Sequence, residues 1–154
     1  MKEKVKVLMI GPARSVNGGI SGVVNNYYSA GLDKQIDLMY IGTMEDGSKV
    51  HKLLVAAKAL LKYVTVVSKY DIIHVNMASD VSIYRKMIFI QIADLYKKKI
   101  IIHQHGGHIE EFYYEKCNDS QRKRIQNVLN KAHKMLVIAP YLKDIFANII
   151  EEKK

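Results

Sequence analysis

The segment Ile100-Ile101-Ile102-His103-Gln104-His105-Gly106-Gly107-His108 gathers the densest reactive chemistry in the chain. Imidazoles exchange protons near neutral pH and ligate metals, and glycines let a backbone close against a ligand. On a strand, His103 and His105 point to one side and Gln104 to the other. A metal reading would take His103, His105 and His108 as three nitrogen ligands. No carboxylate joins them within the motif, because Glu110 and Glu111 follow only after a turn, so no metal is expected. His103 reads as a hydrogen-bonded residue at a strand end. His74, inside Asp71-Ile72-Ile73-His74-Val75-Asn76, reads as structural, satisfying a neighbouring strand or loop.

A second group precedes it: Gly18-Gly19-Ile20-Ser21-Gly22. Glycines between a strand and a helix let backbone N–H groups approach a phosphate, which the helix N-terminus also favours electrostatically. The spacing is not the dinucleotide fingerprint, and no Gly-Lys-Ser/Thr follows to make a P-loop. The alternative is a flexible loop whose glycines serve only positive φ.

Strands and helices must alternate to position these loops. The pattern predicts strands over residues 5–10, 36–41, 71–77, 99–105 and 135–139. Helices are predicted over residues 20–32, 50–68, 79–96, 119–133 and 140–152, the last opened by Pro140. In the 50–68 helix, Leu53, Leu54, Ala57, Leu60, Leu61, Val64 and Val67 recur at three and four residues, and this stripe is expected to face the core. The apolar runs that end in glycine read as buried strands of a parallel sheet, whose ligands bind outside the carboxyl ends of the strands. The fold class is therefore α/β, a parallel sheet with helices on both faces. One domain accounts for all 154 residues.

Composition narrows the partners. The formal net charge of +9 favours an anionic one. Tyr27-Tyr28 and Tyr113-Tyr114 do not lie along a basic stripe and no recognition module is present, so nucleic acid is not expected. Lys58 and Lys62 on one helix, and Arg122-Lys123-Arg124 on another, read as solvated faces, with an anionic membrane surface as the alternative. A lone Cys117 allows no internal disulfide, no run approaches a membrane span, and residues 1–10 lack the pattern of a signal peptide. The expected location is cytoplasmic, peripheral at most on the inner face of the membrane.

Taken in order, Lys6-Val7-Leu8-Met9-Ile10, Gly18-Gly19-Ile20, Asp71-Ile72-Ile73-His74-Val75 and Lys99-Ile100-Ile101-Ile102-His103-Gln104-His105-Gly106 resemble the N-terminal half of a family 4 glycosyltransferase of the GT-B type. The resemblance spans nearly the whole chain. It implies a Rossmann-like, acceptor-side domain over residues 1–154, paired in the family with a C-terminal donor-binding domain. The implied reaction moves a sugar with retention from a nucleotide-diphospho-sugar to a glycan or lipid-linked acceptor, in surface polysaccharide synthesis, with no cofactor. By the same resemblance Gly18 and Gly19 lie near the donor diphosphate, and His105 is the catalytic histidine close to the transferred sugar. Gly106, Gly107 and His108 begin a loop, running to Tyr114, that lines the acceptor pocket. Ala139-Pro140 stands where the family often has a serine.

The family's donor half carries two glutamates with seven residues between them, and no two glutamates of this chain have that separation. The chain alone is accordingly expected to be inactive, with its cleft-facing loops mobile and open. The alternatives are a non-catalytic binding subunit of a split glycosyltransferase and a nucleotide-binding Rossmann-like protein.

Overall fold

Five apolar runs become the strands of one sheet in the computed structural model, which describes residues 4–150. They are β1 (Lys6–Gly11), β2 (Asp37–Gly42), β3 (Ile72–Met77), β4 (Lys99–Gln104) and β5 (Lys134–Val137). All pairings are parallel, in the order β2-β1-β3-β4-β5. Parallel neighbours need long crossovers, and helices supply them. Helix α1 (Gly19–Ser29) and the single turn α2 (Leu32–Gln35) join β1 to β2. Helix α3 (Lys49–Val66) leads to β3, and α4 (Val81–Leu95) to β4. The short α5 (Ile109–Glu111) and then α6 (Asp119–Leu129) lead to β5, which α7 (Pro140–Ile149) follows. This is the α/β, Rossmann-like arrangement, within one residue of the expected bounds for most strands.

Register decides which side chains share a face. Leu8 pairs with Ile73 and Ile73 with Ile100, so these three point the same way, as do Ile10, Val75 and Ile102. That face carries the contiguous core, completed by Ala59 and Tyr63 of α3, Met87 and Ile90 of α4, Ile125 and Val128 of α6, and Leu142 and Phe146 of α7. The opposite face pairs Met9 with His74, His74 with Ile101, and Asn76 with His103. Here α1 is the cover: its Val24 is buried and the Tyr27 ring centroid lies 6.4 Å from that of His74.

Local chemistry sets the helix ends. Ser48 caps α3, its Oγ accepting the His51 N–H at 3.2 Å. Asn118 and Gln121 form a reciprocal capping box at α6, each side chain accepting the other's backbone N–H at 2.9 Å. A cap of this kind contributes about 1 kcal/mol. Asp80 has φ 59°, outside the helical region, so α4 starts at Val81 instead of residue 79. Residues 151 and 152 of the expected last helix lie outside the described residues.

Two expectations are corrected. The leucine stripe of α3 mostly faces away from the core, into which only its Leu60 and, just past the helix, Val67 pack. Its buried side is Ala59 and Tyr63, while Leu53, Leu54, Leu61 and Val64 are exposed. Tyr63 wins that side because its ring meets Phe89 edge-on at 4.9 Å and its hydroxyl donates to the Phe89 carbonyl at 2.9 Å. Nor is the segment from His108 to Tyr114 an open loop. It coils into α5 and a wide helical turn at Phe112–Lys116, with Ile109, Phe112 and Tyr113 buried. Their i, i+3, i+4 spacing gives one apolar face, and Arg122 ties the turn down through Nε to the Tyr113 carbonyl at 2.9 Å.

Candidate functional site

With β1 flanked by β2 on one side and β3 on the other, the chain leaves β1 into α1 on one face of the sheet and leaves β3 into α4 on the other. A crevice therefore opens beyond the carboxyl ends of β1 and β3, where α/β sheets hold ligands. The chain places its polar residues there.

The centre is a relay across three strands. His105, just past β4, has Nε2 2.9 Å from Asn76 Oδ1, and Asn76 Nδ2 donates to the Ile10 carbonyl at 3.2 Å. The second bond orients the Asn76 amide, so its Oδ1 must accept from His105. The Nε2 atom then carries the proton, and Nδ1 is left with a free lone pair. The backbone helps as well, since the His105 N–H donates to the Met77 carbonyl at 2.8 Å.

His105 belongs to a stack of imidazoles. Its ring centroid is 3.9 Å from that of His103, which is 5.7 Å from that of His74. The Tyr27 hydroxyl lies 3.4 Å from His103 Nδ1, which is the strand-end partner expected for His103. His74 differs from expectation: its buried Nε2 has no hydrogen-bond partner among the described residues, and the ring is held by packing between Tyr27 and His103. Burial, and then the neighbouring His103, lower His74 to about 4. Burial followed by His103 and His74 lowers His105 to about 4, and burial lowers His103 too. The stack is therefore uncharged at neutral pH.

His108 does not join it. Its side chain is 85% exposed, with Nδ1 3.8 Å from Glu111 Oε2, so the three histidines of the metal reading are not gathered. Among the described residues no group of three or more His, Cys, Asp or Glu is arranged to hold a metal.

Gly106 and Gly107 have distinct roles. A Cβ on Gly106 would meet the Ser79 backbone nitrogen at 3.0 Å, so glycine is what lets the loop after β4 close on the loop after β3. The buried Ser79 Oγ beside it and the buried Oε1 of Gln104 are both unpartnered among the described residues. Buried polar atoms of this kind are uncommon and are natural docking points for a polar ligand. A Cβ on Gly107 would meet the Tyr141 hydroxyl at 2.7 Å, which brings the start of α7 to the same place.

Gly18 and Gly19 start α1, two helical turns before Tyr27, with Gly18 at the N-cap. Positive φ does not explain them: Gly18 is extended at φ 173°, and Gly19 lies within the helix. A Cβ on either would enter open space. No side chain caps the helix and no acid lies in its first turn. The N–H groups at this end are free of side-chain competition, as an approaching anion requires.

Lys86 is a further member that sequence spacing did not single out. It is 3% exposed on α4, and Nζ donates to Thr43 Oγ1, which in turn donates to the Gly11 carbonyl at 2.9 Å. Burial, then Arg85, lowers it to about 7. It secures the end of β1 from the core side. Gly11 itself must lack a side chain, because a Cβ would lie 2.3 Å from the Tyr40 hydroxyl that bonds the Pro12 carbonyl.

The class defined by fold and site is a parallel α/β domain whose polar groups meet at the switch point between β1 and β3. No protein-family model matches this chain, and no curated protein does.

Proposed function

We propose that the chain is the acceptor-side domain of a retaining glycosyltransferase of the GT-B, family 4 type. It works with a donor-binding domain to move a sugar from a nucleotide-diphospho-sugar to a glycan or lipid-linked acceptor in surface polysaccharide synthesis. The observation that carries this reading is the His105–Asn76–Ile10 relay, which holds an uncharged imidazole with a free Nδ1 at the carboxyl edge of the sheet.

In this reading His105 Nδ1 accepts a hydrogen bond from a hydroxyl of the transferred sugar. An imidazole that stays neutral adds no positive charge beside an oxocarbenium-like centre, whereas an imidazolium would repel it. The uncapped start of α1 at Gly18 and Gly19 faces the leaving diphosphate, whose growing charge needs preorganised N–H donors in a cleft closed to water. Gly106, Gly107 and the exposed His108 border the acceptor. One wall cannot exclude water, so this domain by itself is inactive. The reading carries with it a cytoplasmic location on the inner face of the membrane. Among the described residues no helix is long and apolar enough to cross one.

The test is turnover of the complete two-domain transferase, read as release of nucleoside diphosphate from a panel of nucleotide sugars. His105→Ala is expected to lower turnover by at least about a hundredfold in a variant that still folds, its stability reduced by only about 1–3 kcal/mol for an unpaired Asn76 Oδ1. Unchanged turnover overturns the assignment. Saturable nucleotide binding by this chain without any sugar transfer by the complete protein would favour the nucleotide-binding alternative.

A further inference from the structure

The outward members of the α3 leucine stripe form an apolar surface that the site does not use. Val50, Leu54, Ala57, Leu61 and Val64 alternate at steps of four and three, which lines them along one side of the helix. All five are exposed, Val50 at 67% and Leu61 at 71%. Leu53, at 70%, widens the stripe toward α4, where a cavity of about 300 Å³ is lined by Leu53, Ala57, Leu60, Ile88 and Phe89. A run of exposed apolar side chains this continuous marks an interaction surface.

Charge selects the partner. Helix α3 contains Lys49, Lys52, Lys58 and Lys62 and no Asp or Glu. The nearest acids, Glu45 and Asp46, precede its cap, and Glu45 is already 3.2 Å from His51 Nε2. Arg85 lines the α3–α4 cavity, and its buried Nε has no hydrogen-bond partner among the described residues. Two copies meeting through this stripe would set lysine against lysine with nothing to neutralise it. An anionic lipid surface satisfies both features: acyl chains take the leucines and phosphate headgroups take the lysines.

We infer that the outer face of α3, with the adjoining cavity against α4, docks on an anionic lipid bilayer, inserting Leu54 and Leu61 and pairing Lys58 and Lys62 with headgroups. Docking requires only the α3 geometry and stands whether or not the chain serves sugar transfer.

Co-sedimentation of the full chain with vesicles tests it directly. Binding is expected to vesicles of equal parts phosphatidylglycerol and phosphatidylcholine, and not to phosphatidylcholine alone, with release at high salt. Lys58→Ala with Lys62→Ala should weaken partitioning roughly 25-fold, about fivefold per lysine. Leu54→Asn with Leu61→Asn should weaken it more than about tenfold. Both pairs are exposed, and an unchanged thermal melt confirms that each variant is folded. Absence of binding to the anionic vesicles, or binding indifferent to the leucine pair, overturns the proposal. So does a concentration-dependent dimer that the leucine pair abolishes, since the face is then a contact between copies.

Discussion

The two faces of the sheet are built from the same five strands and do different work. On one, isoleucines and valines of β1, β3 and β4 meet α3, α4, α6 and α7 in a continuous apolar core. On the other, His74, Asn76, His103 and His105 stack beneath α1. Because side chains alternate along a strand, β4 serves both: Ile102 points into the core, and His103 and His105 point away from it. The core face fixes where the strand ends fall, and the opposite face uses those fixed ends to aim imidazoles. The difference predicts that substitutions close together on β4 fail in unlike ways.

On the proposed reading His105→Ala has the largest expected effect, a loss of turnover by orders of magnitude in a variant that still folds and loses only about 1–3 kcal/mol for the unpaired Asn76 Oδ1. Ile102→Ala, three residues earlier, should do the reverse. Deleting a fully buried isoleucine side chain costs about 2–5 kcal/mol, so the midpoint of chemical denaturation should fall while turnover per folded molecule is retained. Equal losses of stability from the two would break the division between faces.

The faces should also part company in their pH dependence. Burial lowers His74 to about 4 from its ordinary 6.5. Between those values the unfolded chain binds a proton that the folded chain refuses, so stability falls as pH drops through the window. This acid loss is on the order of 3 kcal/mol for His74. Lys86, on the core side, is lowered to about 7 from 10.5. By the same sign rule its contribution makes stability rise with pH from about 7 to 10.5. His74→Phe should make the acid limb shallower, leaving the share carried by His105, and Lys86→Met should flatten the alkaline limb, as read by denaturation midpoints across pH. A single variant that flattened both limbs would show that the two faces are electrostatically coupled.

The fold was legible because each strand is an apolar run closed by glycine or a turn, and each crossover carries a helical period. What was not legible follows from packing. Helix α3 is apolar on more than one side, so its period alone could not say whether Leu61 or Tyr63 faces inward; the hydrogen bond from Tyr63 to the Phe89 carbonyl on α4 decides it. The turn after Ile109 looked like a loop because its period is too short to stand out between Gly107 and Cys117. The common side of His103 and His105 was readable from strand alternation. The capping box at Asn118 and Gln121 was written in the sequence as Asn-x-x-Gln and could have been found. Asn76 could not, because its role depends on β1 and β4 being the two neighbours of β3, which is a property of strand order.

That dependence makes Asn76 the sharpest probe of the relay, although its expected effect is the smallest. Asn76→Asp keeps an acceptor for His105 Nε2–H but loses the donor to the Ile10 carbonyl. Loss of that buried bond should cost about 1–3 kcal/mol. The gain is diagnostic. A carboxylate against an imidazole favours the charged ring, so the titration of His105 should move upward from about 4, as followed by proton NMR of the imidazole. On the proposed reading a charged His105 no longer suits a cationic transition state, so turnover should fall at pH values below the new titration midpoint and recover above it. If His105 titrates unchanged, its neutrality comes from burial and the neighbouring His103 and His74, and the Asn76 bond serves only to orient the ring. If it shifts as expected, strand order itself, by setting Asn76 between His105 and Ile10, selects the protonation state of the site.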